Sequence, residues 1–106
     1  MSSWTGVDLD GTLAYYDSGH NIQNIGEPIP LMADRVRKML SEGKEVRIFT
    51  ARASVPELIP PVQDWTEKHF GVRLPVTCCK DFGMMTLYDD RCVQVEPNTG
   101  RILGKE

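Results

Sequence analysis

Strand signals and helix signals alternate along this chain, and that alternation leaves few folds open to it. Trp4 to Asp8 is a short apolar run halted by Asp10-Gly11. Leu31 to Glu42 reads as a helix: Met32, Val36, Met39 and Leu40 share one face, and Arg35, Arg37, Lys38 and Glu42 lie away from it. Pro30 suits its first turn, and Gly43 suits the left-handed cap after its last. Glu45 to Thr50 is the next strand. A second helix ends at Phe70 before Gly71, with Ile59, Val62, Trp65, Thr66 and His69 on its inner side. Pro56, Pro60 and Pro61 bracket its start, since each fits only in or before a first turn. Leu74 to Cys78 and Met85 to Tyr88 read as a third and a fourth strand. Val93–Val95 and Arg101–Leu103 alternate around Asn98-Thr99-Gly100, which predicts a C-terminal hairpin. Strands joined through helices pair in parallel with right-handed crossovers, so the expected class is a small α/β domain, a parallel sheet flanked by helices.

At 106 residues the chain is expected to be one domain, 1–106, with a single core. Hydrophobic residues at 41% and charged residues at 25% match an ordinary globular protein, which argues against disorder, collagen and coiled coil. Twelve basic and fifteen acidic residues leave a net charge of −3, so salt-driven binding to duplex nucleic acid is not expected. No apolar run approaches the roughly 20 residues that span a bilayer. The N-terminus shows no basic segment followed by an apolar stretch, so neither a secretory signal nor a membrane partner is expected. Cys78, Cys79 and Cys92 form neither a disulfide framework nor a zinc pattern, and a reducing cytoplasm is the expected setting. Residues 14–30 are rich in Gly, Asn, Asp, Ser and Pro without a sustained period. They read as a long loop or small hairpin, and loops of that length in compact domains are functional or mobile. The methionines and tryptophans are read as core.

In parallel α/β sheets the reactive groups collect beyond the C-terminal strand ends. Strand one here ends in Asp8-Leu9-Asp10-Gly11-Thr12, strand two in Thr50, strand three near Lys80 and strand four in Asp89-Asp90. Two carboxylates about 4 Å apart repel by about 4 kcal/mol at an effective dielectric of 20. Four in one cleft need protonation or a cation. Hard oxygen donors of this kind suit Mg²⁺. A divalent ion, a lysine and a spare carboxylate together suit a phosphoryl group: the cations neutralise its oxygens and the carboxylate attacks phosphorus. Asp8 and Asp10, two apart in extended backbone, point the same way. One can then meet the phosphorus while the other handles a proton. Gly11 permits the turn that brings Asp10 over the site.

Val7-Asp8-Leu9-Asp10-Gly11-Thr12-Leu13 resembles the first motif of the haloacid dehalogenase superfamily of phosphatases. Ile48-Phe49-Thr50-Ala51-Arg52 resembles the second, Lys80 the third, and Leu87-Tyr88-Asp89-Asp90 the fourth. The resemblance covers positions 4 to about 95, and extends to short bacterial and phage proteins that share the Lys-Asp-Phe-Gly and Asp-Asp-Arg stretches. It implies a Rossmann-like sheet and a Mg²⁺-dependent phosphomonoester hydrolase. Asp8 would be the nucleophile and Asp10 the general acid and base, its backbone carbonyl binding Mg²⁺. Thr50 would hold a phosphate oxygen, and Lys80 would steady the charge on Asp8 and the phosphoryl group. Asp89 or Asp90 would complete the metal site with Asp8 and Asp10, one directly and the other through water. Leu9, Gly11, Thr12, Thr50, Ala51, Arg52 and Lys80 would surround the phosphate. The stretch from Lys80 to Asp89 is too short for the helix that usually separates motifs three and four, which leaves Lys44 as a substitute for Lys80. Members usually carry an inserted cap domain. Here residues 14–30 are a flap and no cap domain fits. An open site implies either a large substrate, such as a macromolecule with an exposed phosphate, or a neighbouring subunit as lid over a phosphorylated small molecule. Tyr15, Tyr16, His20 and Asn21 of the flap could touch the leaving group.

Plainer readings compete. Asp-Gly is common in turns, Lys80 could pair with Asp81 on the surface, and Asp89-Asp90 could be a polar turn. Arg52 and Arg91 fit salt-bridged structural roles as well as substrate contact. His20 and His69 lack metal-ligand spacing, and His69 reads as structural. A binding module that kept the site but lost turnover is the first alternative function. A receiver-type phosphoacceptor is the second, although the two-apart acidic pair followed by Gly-Thr argues against it. No Gly-rich loop of the nucleotide-hydrolase kind is present.

Overall fold

The first apolar run becomes the centre of the sheet. The computed structural model describes residues 3–16 and 24–104. It places β1 (Trp4–Val7) between β2 (Val46–Phe49) and β4 (Met84–Tyr88), with β3 (Val76–Thr77) outside β2. Every pairing in this four-stranded sheet is parallel. The chain reaches β2 through α1 (Pro30–Ser41) and β3 through α2 (Ile59–Phe70). Both steps run in one direction across the sheet, so right-handed crossovers put both helices on one face. An antiparallel hairpin, β5 (Gln94–Val95) with β6 (Ile102–Leu103), follows. The α/β class, parallel sheet and C-terminal hairpin are as the sequence predicts.

Register places Val7 opposite Ile48, and Thr5 opposite Val46. Alternation then sends Val7, Val46 and Ile48 to the helix side. There they join Met32, Val36 and Met39 of α1 and Val62 and Trp65 of α2 in one buried cluster. Fully burying such a side chain contributes roughly 1.5–3 kcal/mol. Helices of 12 residues are marginal in isolation, so this cluster is what holds α1 and α2 in place.

The opposite face has no helix, and Trp4 is nonetheless 2% exposed. Its Nε1 donates to Asp81 Oδ1 at 2.7 Å, and the Arg47 guanidinium lies 4.5 Å over its ring. Gly6 leaves room for the indole, since a Cβ there would sit 3.2 Å from Trp4 Cζ3. Asp81 belongs to the connection 78–83 between β3 and β4. It also accepts the Gly83 amide at 2.8 Å, while Trp4 N donates to the Gly83 carbonyl at 2.8 Å. A helix-free crossover is thus pinned to the sheet by one buried indole.

Several boundaries move. Helix α1 begins at Pro30, one residue early, and β3 is only two residues long. Pro56 opens a separate 3₁₀ turn (Pro56–Leu58) after another (Ala51–Ser54), and Pro60 and Pro61 lie in the first turn of α2. Both tryptophans are core, but Met85 is 68% exposed, at the point where the register of β4 against β1 shifts from Trp4–Met84 to Thr5–Thr86. Asp81 is engaged by Trp4 and Arg47, which removes the Lys80–Asp81 pairing. The His69 ring packs 4.8 Å from Trp65, and burial lowers its pKa, in keeping with a structural role. Among the described residues no helix is long and apolar enough to cross a membrane.

Candidate active site

Strands β1, β2 and β4 end at Val7, Phe49 and Tyr88, so Asp8, Thr50 and Asp89 are the first residues beyond one rim of the sheet. The Asp8 amide donates to the Tyr88 carbonyl at 2.9 Å, which fixes β4's tip beside β1's. Leu9 turns its side chain fully into the core, and its carbonyl accepts the Leu13 and Ala14 amides at 2.9 and 2.8 Å. That closes a tight turn over the site. Gly11 sits in it at φ +91°, where a Cβ would lie 2.7 Å from Asp90 Oδ2. Glycine is required there by conformation and by the approach of the second acid.

The acidic groups do meet. Asp8, Asp89 and Asp90 each offer a carboxylate oxygen within 4.8 Å of the others. Thr12 Oγ1 lies 2.9 Å from Asp90 Oδ1 and 3.3 Å from Asp8 Oδ2, and it accepts the Asp90 amide at 2.9 Å. Burial, a hydrogen bond with the Asp90 carboxyl and the charges of Asp89 and Asp90 push the Asp8 pKa up to about 7; the Leu9 amide pulls weakly the other way. Burial also works to raise Asp90, but hydrogen bonds from Asp8, Thr12 and its own amide hold it below the usual range. One carboxyl therefore shares its proton with its neighbour when no cation is near. Three hard oxygen donors in that condition fit Mg²⁺, which takes one or two carboxylates and keeps several waters.

The raised pKa has a consequence for stability. Asp8 titrates near 3.8 in an unfolded chain and at about 7 in the folded one. The folded state thus binds more protons between those values, and stability falls as pH rises from about 4 to about 7. Relative to Asp8→Asn, the magnesium-free protein should lose stability across this window. Thermal unfolding in chelator at stepped pH measures it, and parallel curves for the two proteins would contradict a shared proton at Asp8.

Asp10 lines the same cavity as Asp8 and Asp89 but stands outside the three-carboxylate cluster. Arg52 Nε and Nη2 donate to its two carboxylate oxygens at 2.8 and 3.0 Å, a bidentate pair. Arg52 is 9% exposed, and Nη2 also reaches the Asn24 carbonyl at 3.3 Å. Of the two readings left open for Arg52, the structure shows the salt bridge. Thr50 is buried and caps the 3₁₀ turn after β2, its Oγ1 accepting the Arg52 amide at 3.2 Å.

Gly11 and Thr12 build the turn beside the acids. Their amides donate to the Ala14 and Leu9 carbonyls, and the Thr12 hydroxyl bridges the acids. The Leu9 side chain is likewise core. Lys80 is exposed on the 78–83 connection, where its charge acts on the Cys92 thiol, the same thiol that feels Asp8, Asp89 and Asp90. Lys44 is exposed and pairs with Glu42 at 3.6 Å, so it does not replace Lys80. The flap is a small hairpin at its base. Tyr15 N donates to the Glu27 carbonyl at 2.9 Å, and Trp65 Nε1 donates to the Gly26 carbonyl at 3.0 Å. His20 and Asn21 lie outside the described residues. Tyr16, Thr50, Ala51 and Arg91 join Asp8, Asp10 and Asp89 around an open cavity of about 840 Å³.

The signal that sequence reasoning missed is the Asp10–Arg52 pair. Both residues were singled out, but only coordinates show that the second motif's arginine reaches back to the first motif's acid.

No protein-family model and no curated protein matches this chain. Among solved structures it is similar to a conserved protein from Bacteroides thetaiotaomicron, with a TM-score of 0.63 and 19% identity. The alignment covers 88% of this chain and 79% of that one. At this identity the likeness establishes the fold: a parallel α/β sheet flanked by helices.

Proposed function

We propose that the protein is a Mg²⁺-dependent phosphomonoester hydrolase acting through an aspartyl-phosphate on Asp8, a small member of the haloacid dehalogenase superfamily without a cap domain. One observation carries this reading: carboxylates far apart in the sequence share one rim, with the Asp8 pKa pushed up to about 7 by burial and by its acidic neighbours. Asp8, Asp89 and Asp90 would hold the metal together with the Asp10 carbonyl. Bound there, Mg²⁺ supplies charge neutralisation to the carboxylates and to phosphate oxygens.

The chain's own residues do the rest. An Asp8 oxygen attacks phosphorus, and the bond from phosphorus to the leaving oxygen breaks. Asp10 gives that oxygen a proton. Water then attacks the aspartyl-phosphate while Asp10 takes the water's proton, which frees Asp8 and inorganic phosphate. Thr50 donates its hydroxyl to a phosphate oxygen, and Ala51 lies beside it in the cavity wall. Lys80 adds positive charge from the 78–83 connection.

The grip of Arg52 on Asp10 favours one rival, a metal- or phosphate-binding module in which the acid stays paired. Phosphate release from para-nitrophenyl phosphate with Mg²⁺ and with excess chelator separates the two. We expect turnover that disappears with chelator and returns with Mg²⁺. Mg²⁺ binding without turnover of any phosphomonoester supports the module instead.

A further inference from the structure

The cavity at the acidic rim is not lined by polar groups alone. Phe49, Val55, Leu58 and Tyr16 contribute an apolar part of its wall. Val55 is 42% exposed and Tyr16 49%. Single exposed apolar side chains are ordinary on any protein surface. These two come from different segments, the flap base and the joint between the 3₁₀ turns, and they stand over the same opening as Asp8 and Asp10.

We propose that this wall is a leaving-group subsite for phosphomonoesters that carry an aromatic ring, in preference to sugar phosphates. The assignment rests on the hydrolase reading above and deepens it to a substrate class. Hydrogen-bonding capacity argues for the ring. Ser54, a hydroxyl of the same lining, already donates to the Ala51 carbonyl at 2.8 Å. Cys78 offers only a weak thiol donor. A polyhydroxylated leaving group would give up water against Phe49, Val55 and Leu58 and find no partner on those side chains. A flat ring loses no hydrogen bonds there and gains contact with a tyrosine ring and with aliphatic side chains. Arg91, exposed at the same mouth, adds a guanidinium plane on which rings stack.

The test compares two primary alkyl phosphates of matched intrinsic reactivity, a pyrimidine nucleoside 5′-monophosphate and a hexose 6-phosphate. With Mg²⁺ present, kcat/KM is measured for both in the wild type, in Val55→Asp and in Tyr16→Ser. The two side chains are exposed, so the variants keep the core intact. Wild type should favour the nucleotide by about tenfold, the scale of a buried ring contact. Each variant should lower that preference, mainly through the KM of the nucleotide. Equal kcat/KM for the two substrates, or a preference that neither variant alters, overturns the subsite while leaving the hydrolase intact. Absence of turnover with both substrates and with para-nitrophenyl phosphate overturns the hydrolase itself, and the subsite with it.

Discussion

The Asp8→Asn protein should fold, bind Mg²⁺ more weakly and release no phosphate above background. The expected loss is on the order of 10³-fold or more, the scale on which removing a covalent nucleophile acts. An amide keeps the shape of the carboxyl but lacks the anionic oxygen that must bond to phosphorus. The substitution should not harm the fold, because Asp8 is the most strained charge in the cluster and Asn removes its repulsion with Asp89 and Asp90. Folding and catalysis thus respond in opposite directions to one change. Turnover that survived in Asp8→Asn would mean that water attacks phosphorus directly, and the covalent route would be wrong.

Loss of the acid and base should be milder. Asp10→Asn is expected to reduce turnover by roughly two to three orders of magnitude, the range for one positioned proton-transfer group. The nucleophile remains, so a substrate whose leaving group needs no proton should suffer less than an alkyl phosphate. That difference is the diagnostic, and equal losses on both substrates would assign Asp10 to structure alone. The pair with Arg52 sharpens the expectation. A carboxylate gripped by two N–H donors at 2.8 and 3.0 Å must turn away from them before it can give or take a proton at the site.

The layout of the fold was legible because its cues are periodic and local. The stripe of Met32, Val36 and Met39 and the run Val46–Phe49 announce a helix and a strand that the core then confirms. The acidic tips were legible as well, since parallel strands must end on one rim. Three things were not. The grip of Arg52 on Asp10 spans 42 positions and depends on how two turns approach each other. The exposure of Met85 goes with a register shift between β1 and β4, which composition cannot show. The hydrogen bonds by which Gly11 and Thr12 close the turn and bridge the acids depend on group directions that residue types do not encode.

The turn at Gly11 and the tip at Asp90 fit together like a latch, each occupying the space the other leaves. Its two halves are far apart in the sequence, and the Gly11 half leaves the ribosome first. A nascent chain that has made only its first three strands already holds Asp8 and Asp10, yet it cannot assemble the three-carboxylate cradle. The three-carboxylate cluster therefore forms only when β4 docks beside β1, and truncation before Asp89 leaves Asp8 without both of its acidic neighbours.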